Sequence, residues 1–420
     1  MGIDEINPLV DEFVQCCEQA TTPVDLPVQL FCKIIYEDIH SLSVANQNNI
    51  TKCIAFFSTH PDEETSQAAI SYVAERIYQD TAVLDDLINA LKPSLLGFGA
   101  KSKHQKASQP GLNPKLGFSF DEDETKRAWK ENGGLKSIAL FYIVLLNLKR
   151  NMVSVNLQWI IPGIMNLLDD STDLLNIKLN GVMLLKTFVD SCFDEFKSEE
   201  TQWISFQQTG IFGMVEPILV NMCYFLPPSH NSSEVVLENV YECLISLYGR
   251  NFDTTEMKQH LGSTLLSKVI LQYTIPKLGI KYEGILEYLI STTTRIIELL
   301  DSDSVLYMQR IIYTYGEYII RDPFVTTLKN CEIMPSIIEM FVKLVTVCPS
   351  DRVNVHGLDF LAIVLITYQK YTTEGGIDSI LLERLRKFLA LLKSGGCDFD
   401  DACIEVLKVN PMMSVLLQDT

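Results

Sequence analysis

Apolar residues recur three and four positions apart along most of the chain, with polar residues between them. The stretch IDEINPLVDEFVQCCEQA near the start shows this pattern clearly. It is the period of an amphipathic helix, and the later segments run to twelve residues or more, beyond the usual length of a strand. No two-residue turn joins alternating strand patterns. The sequence therefore predicts an all-α fold.

The helical pattern is interrupted once, which predicts three regions. Residues 1–96 are predicted to form an N-terminal helical region, with a helix start at PDEE from Pro61, where proline and acids suit the first turn. Residues 97–128 lack a period and carry glycines, prolines and a small basic cluster, as a flexible connector does. That cluster is either a solvated linker or a docking patch. Helical patterns return over residues 129–420.

Prolines recur inside this last region at a nearly constant spacing. They are Pro162, Pro217, Pro276 and Pro335, roughly 55 to 59 residues apart, a regularity typical of repeat arrays. Asn156 is predicted to cap a helix starting at Leu157, which would place Pro162 in the second turn. There a proline costs about 3 kcal/mol unless the helix bends over its neighbour.

The segments after the prolines also resemble one another. Asp169 and Asp170 are predicted to end the first helix of a pair, and Lys178 and Gly181 lie in the second helix. We expect this acidic turn and Lys178 to link neighbouring helices, and Gly181 to permit a close approach. These features predict a HEAT-like α-solenoid of stacked antiparallel helix pairs over 129–420. The alternative is an irregular helical domain in which the prolines merely begin helices.

Composition and motifs exclude several classes of function. The formal net charge of −19 disfavours general binding to nucleic acids or anionic membranes. The sequence contains no phosphate-binding loop, no metalloprotease motif and no nucleophile elbow, and no two histidines stand four residues apart. We therefore expect no catalytic residue, metal site or cofactor. An all-helical enzyme would need a deep pocket with paired titratable groups.

A few residues are candidates for binding a partner or for packing. Arg352, His356 and Asp359 cluster on one predicted apolar helix, so we expect them to face a partner. Trp129 opens the repeat region and Trp159 lies on a helical pattern. Both are more typical of a core than of an interface, although an exposed tryptophan would be a hot-spot candidate.

Three segments after the connector resemble a known family. AWKENGGLKSIALFYIVL, QWIIPGIMNLLDD and KLNGVMLL are similar to the core signature of the Tti-two subunit of the TTT (Tel-two/Tti-one/Tti-two) complex, in a fungal form. Gly163 stands where family members often have a second proline. The matching positions are Trp129, Lys130, Trp159, Ile161, Pro162, Asp169, Asp170, Lys178 and Gly181.

The resemblance implies a non-catalytic scaffold in the cytoplasm and nucleus. Such a complex acts as a co-chaperone with the heat-shock-ninety system in the maturation and assembly of phosphatidylinositol-kinase-related kinases (PIKKs). The implied partners are a large helical Tti-one-like solenoid and a Tel-two-like subunit. The residues alone leave a generic HEAT or armadillo-type transport or cargo adaptor as an alternative.

Overall fold

Helices are the only regular secondary structure that the computed structural model shows in the described residues, 3–37, 42–95, 120–193, 204–325 and 332–417. The all-α prediction is therefore confirmed. The first ten helices are α1 Ile3–Gln19, α2 Val28–Ile34, α3 Val44–Ala55, α4 Glu63–Gln79, α5 Ala82–Leu91, α6 Phe120–Glu131, α7 Gly134–Asn147, α8 Arg150–Leu168, α9 Leu179–Cys192 and α10 Phe212–Met222.

The remaining helices continue to the C-terminus. They are α11 Ser233–Asn251, α12 Thr254–His260, α13 Ile275–Leu278, α14 Glu283–Leu300, α15 Met308–Tyr315, α16 Ile333–Val347, α17 Ser350–Val355, α18 Gly357–Glu374, α19 Ser379–Ser394, α20 Asp400–Val409 and α21 Ser414–Leu417. Three π-helical segments, Leu174–Lys178, Leu261–Thr274 and Gly316–Ile320, lead into or out of α-helices.

The chain divides into an N-terminal unit, Met1–Ile218, and a C-terminal unit, Leu219–Thr420. The division falls inside α10 and not in the predicted connector. The connector prediction also extends too far, because α6 is already helical from Phe120. Its sequence FDEDETKRAWKE is so polar that no apolar period reveals the helix. The basic cluster at 101–106 lies outside the described residues.

In the N-terminal unit, α7 forms the centre of the core. Ten of its fourteen residues are buried, and it packs against α5, α9 and the short 3₁₀ turn Phe56–Thr59. The predicted start of α4 is confirmed, because the Asp62 carboxylate accepts a hydrogen bond from the Thr65 backbone N–H at 2.9 Å. Helices from both sides of the predicted connector therefore share one core.

A buried lysine joins the first helix to this core. Lys136 of α7 is only 7% exposed, and its Nζ donates hydrogen bonds to the carbonyls of Cys17 at 2.7 Å and Glu18 at 2.9 Å. These carbonyls lie at the C-terminal end of α1, where the helix leaves acceptors unsatisfied. The ammonium also lies 5.4 Å from the centre of the Phe56 ring. Burial lowers the pKa of Lys136.

In the C-terminal unit, the helices pack in two rows. One row contains α11, α14, α16 and α19, each packed against the next. The other contains the continuous helical stretch 254–278, then α15 with its π-helical extension, then α18. Phe341, Phe360 and Phe388 pack edge to face between the rows, with ring centres 5.6 and 5.7 Å apart.

Ion pairs connect the successive helices of the first row. Three pairs join α11 to α14, α14 to α16, and α16 to α19, and we call them the ion-pair ladder. The pairs are Glu242–Arg295, Glu298–Lys343 and Glu339–Arg384. Every side chain of the ladder is at least 39% exposed. Such pairs orient neighbouring helices more than they stabilise them.

The four recurring prolines occupy different positions in their helices. Pro162 and Pro217 lie inside α8 and α10. Pro276, in α13, lies in the last turn of the continuous helical stretch 254–278, and Pro335 is in the first turn of α16. Their spacing in the sequence therefore does not correspond to one repeated structural position.

The predicted cap at Asn156 is wrong, because α8 begins at Arg150. Asn156 is buried inside the helix, where it donates a hydrogen bond to the Met152 carbonyl and accepts one from Trp159 Nε1 at 2.7 Å. Pro162 is consequently about three turns from the helix start, not in the second turn.

Candidate interaction surfaces

The acidic turn after α8, residues 169–173, has a buried carboxylate at its centre. Oδ1 of Asp170 accepts hydrogen bonds from the backbone N–H groups of Thr172 and Asp173, both at 2.8 Å. The Thr172 hydroxyl donates a third bond at 2.9 Å. Lys126 Nζ lies 3.0 Å from Oδ2, and the Asp170 side chain is completely inaccessible to solvent. We call residues 169–173 the aspartate turn.

A second lysine of α6 binds the same turn. Lys130 Nζ lies 2.6 Å from Oδ2 of Asp173, whose Oδ1 accepts a hydrogen bond from the Asn176 N–H at 2.9 Å. Lys126 and Lys130 are four residues apart, so they extend from one face of α6. The aspartate turn therefore links α6 to the end of α8 and to the start of the π-helical segment before α9.

The two carboxylates are held in the ionised form. Burial raises the pKa of Asp170, but the hydrogen bonds from Asp173, Lys126 and Thr172 outweigh burial and leave the pKa below its usual value. The pKa of Asp173 is lowered in the same way, because Lys130 and Asn176 outweigh its burial. Both groups therefore stabilise the folded chain at neutral pH.

Trp129 lies on the same helix and is a packing residue. Its Nε1 donates a hydrogen bond to the Ser94 carbonyl at 2.8 Å. Its ring covers Gly134 so closely that a Cβ on this glycine would overlap the ring. Trp129 is half-buried and Trp159 is buried, with the Trp159 ring centre 5.4 Å from that of Phe141. Both tryptophans therefore join helices within the N-terminal unit.

Lys178 and Gly181 lie beside the aspartate turn. Burial lowers the pKa of Lys178, and the nearby carboxylates of Asp169 and Asp170 act against this shift. A Cβ at Gly181 would lie 3.0 Å from both Leu167 Cβ and the Leu168 backbone nitrogen. The glycine therefore allows α9 to approach the backbone of α8.

The prediction that Arg352, His356 and Asp359 lie on one helix is wrong, whereas their role in facing a partner stays a prediction. His356 separates α17 from α18, and the following Gly357 packs tightly against the Cys397 side chain. His356 Nδ1 lies 3.0 Å from Oδ2 of Asp359, so these two residues do pair. Arg352 is exposed on α17. The cluster is therefore a surface at a helix junction.

Asp359 also lies at the edge of a groove that the sequence analysis missed. The groove separates α15 and its π-helical extension from α18 and has a volume of about 420 Å³. Gly316 lets the two sides of the groove pack closely at its base, because a Cβ there would lie 3.0 Å from Ile363 Cδ1. The lining residues are Gln309, Arg310, Ile312, Tyr313, Gly316, Glu317, Arg321, Asp359, Ala362, Ile363 and Ile366.

The groove has an apolar floor and a charged rim. Tyr313 is 57% exposed, and its ring lies 5.8 Å from that of Tyr318 in an edge-on arrangement. Glu317 pairs with Arg321 at 2.7 Å. Arg310 Nη1 donates a hydrogen bond to the Ser267 hydroxyl at 2.6 Å. Tyr313 and Tyr318 are visible in the sequence, but only the fold shows that they are exposed and that Tyr313 lies in a groove beside α18.

The described part of the chain contains no group of three or more His, Cys, Asp or Glu side chains that could hold a metal ion. Over the same residues, no helix combines the length and apolar character needed to cross a membrane. Two arrangements bring polar side chains together in the described residues. The aspartate turn is internal, and the groove is open to solvent.

Comparisons with known proteins agree with the resemblance in the sequence. A model of the Tti2 family matches residues 50–327. A relative from Saccharomyces cerevisiae, TEL2-interacting protein 2, is 33% identical over 423 residues, which cover 98% of this chain and 99% of the yeast protein. Family match and full-length identity point to the same conclusion: the chain belongs to the Tti2 family.

Proposed function

We propose that the chain is a non-catalytic scaffold subunit of a TTT complex. In this proposal it binds a large helical Tti-one-like subunit and a Tel-two-like subunit. The assembly acts with the heat-shock-ninety system in the maturation of PIKKs, in the cytoplasm and nucleus. The observation that carries the proposal is similarity along nearly the whole chain to a yeast protein named for its interaction with TEL2.

The packing of the C-terminal unit supports a scaffold built from repeated helix pairs. Two rows of helices and the regular ion-pair ladder are features of a HEAT-like solenoid, in which each pair covers the apolar face of the next. Within this proposal Arg352, His356 and Asp359 face a partner, because they lie at an exposed helix junction next to the groove.

Purification of a tagged chain from a fungal host tests the complex. We expect the Tti-one-like and Tel-two-like subunits at near-equal amounts after a high-salt wash. Rapid depletion of the chain should then lower the steady-state level of the PIKKs, and the levels of unrelated kinases serve as the control. Recovery of the chain without either subunit would contradict the proposal.

A charge-reversal variant tests the partner-facing cluster. Arg352→Glu combined with Asp359→Lys should weaken binding of the Tti-one-like subunit, with the same double reversal at Arg384 and Glu339 of the ladder as a control. Unchanged affinity would remove these residues from the interface.

The alternative is a generic HEAT or armadillo-type adaptor for cargo. The strongly acidic composition favours a basic cargo in that case. Fluorescence anisotropy with a labelled lysine-rich signal peptide distinguishes the two functions. Saturable binding of this peptide by the isolated chain, with no recovery of the two subunits, would favour the adaptor.

A further inference from the structure

The groove has the features of a site for a helix. Two helical walls, α15 and α18, flank an apolar floor formed by Ile312, Ile363 and Ile366. An amphipathic helix binds such a groove through apolar side chains at positions i, i+3 or i+4, and i+7. Tyr313 and Arg310, on one wall, are of the residue types that most often dominate binding energy at interfaces.

The charges on the rim favour an acidic partner. Each carboxylate that lines the groove already has a basic neighbour in the chain, since Glu317 pairs with Arg321 and Asp359 with His356. Arg310 instead contacts a neutral hydroxyl, and no carboxylate of the described residues reaches it within ion-pair distance. A chain with net charge −19 repels acidic segments elsewhere on its surface. Arg310 thus supplies the local attraction that such a segment needs.

We infer that this groove binds an acidic amphipathic helix of a partner subunit. The inference rests on the proposed function, since the helix belongs to a protein of the same assembly. The apolar face of the helix covers Ile312, Ile363 and Tyr313, and a carboxylate at its edge pairs with Arg310. The pairing between Arg310 and the carboxylate fixes the register of the bound helix.

Photo-cross-linking in the assembled complex identifies the occupant. Tyr313 is replaced by p-benzoylphenylalanine, and the chain is reconstituted with the Tti-one-like and Tel-two-like subunits. We expect a cross-link to one helical segment of a subunit that carries apolar residues at helical spacing and Asp or Glu on its edge. The control replaces Tyr78, which is 89% exposed in the N-terminal unit, and should not label that segment.

The outcomes separate the two proposals. Failure of the unmodified chain to assemble would contradict the proposed function. An intact complex without a cross-link at position 313, or with a cross-link to a basic segment, would overturn the groove inference alone. A cross-link to a second copy of the chain would also overturn it and would assign the groove to self-association.

Charge exchange tests the role of Arg310. Arg310→Glu should weaken subunit binding about tenfold, whereas Arg310→Lys should retain most of it. Reversing the partner's carboxylate to lysine should restore binding to Arg310→Glu. Tyr313→Asp is a second variant, which leaves the Arg310–Ser267 hydrogen bond in place, and Tyr78→Asp is its control. Equal affinities of Arg310→Glu and Arg310→Lys would contradict the inference.

Discussion

The two units of the chain use pairs of opposite charges in different ways. In the N-terminal unit, the Asp170 carboxylate is fully buried and is held by two backbone N–H groups, a hydroxyl and Lys126. In the C-terminal unit, the ion-pair ladder lies on the surface and each of its side chains is well hydrated. The difference teaches that a buried carboxylate, with three hydrogen bonds to one oxygen and a lysine beside the other, fixes a turn, whereas exposed pairs bias the alignment of helices already held by apolar packing.

Removal of the buried Asp170 carboxylate should give the largest loss in the free energy of unfolding. We expect Asp170→Ala to lower the free energy of unfolding by about 3 kcal/mol, because Lys126 and two N–H groups would lose their partner. Chemical denaturation followed by circular dichroism measures this change. Glu298→Ala in the ladder is the matched control and should change little. Similar losses in the two variants would remove the distinction between the units.

Replacement of two glycines by alanine should change the stability of the chain in opposite directions. Gly181→Ala should destabilise the N-terminal unit by about 1–2 kcal/mol, because the new Cβ meets the α8 backbone. Gly249→Ala in α11 should instead stabilise by about 0.5–1 kcal/mol, since its nearest contact is Met257 Sδ at 3.8 Å and alanine favours a helix. Thermal unfolding of both variants checks the signs. If Gly181→Ala increased stability, α8 and α9 would be able to move apart without a loss in the free energy of unfolding.

Acid should weaken the aspartate turn selectively. The pKa values of Asp170 and Asp173 are lowered in the folded chain, so their stabilisation is present above about pH 4 and is lost as pH falls through the lowered values. The stability difference between the wild type and Asp170→Asn should therefore shrink below that pH. Denaturation curves from pH 7 to pH 3 measure it. A constant difference would contradict the assignment of the shift to Asp170.

Substitutions in the ion-pair ladder should change the free energy of unfolding least. A double-mutant cycle on Glu298 and Lys343 should yield a coupling of about 0.5 kcal/mol or less that decreases further in high salt. The same cycle on Asp170 and Lys126 provides the contrast. Equal coupling energies would mean that burial does not separate the two kinds of pair.

Sequence patterns predicted the fold class and most helices because apolar periodicity is a local property. The start of α4 followed from the proline and the acidic residues of its first turn, and the aspartate turn and Gly181 followed from short motifs. Apolar periodicity did not predict α6, because the sequence of this helix is mostly polar. Its lysines pair with Asp170 and Asp173, which are distant in the sequence. Apolar periodicity also missed the break at His356, which reflects the packing of Gly357 against Cys397.

The groove was beyond sequence reasoning for a related reason. Tyr313 and Asp359 are distant in the sequence, and only the packing of the π-helical extension of α15 beside α18 brings them to the same surface. The predicted HEAT-like array over 129–420 stays a prediction, and the unequal positions of the four prolines show that proline spacing alone is a weak guide to it.

The buried ammonium of Lys136 has a consequence for shortened forms of the chain. A fragment that begins at residue 42 would lack the Cys17 and Glu18 carbonyls that accept its hydrogen bonds. The cation would then stand uncompensated beside Phe56 at the centre of the unit. Proteolytic removal of the first helix should therefore weaken the packing of α7. The fragment that begins at residue 42 would need Lys136→Met to recover a well-packed interior.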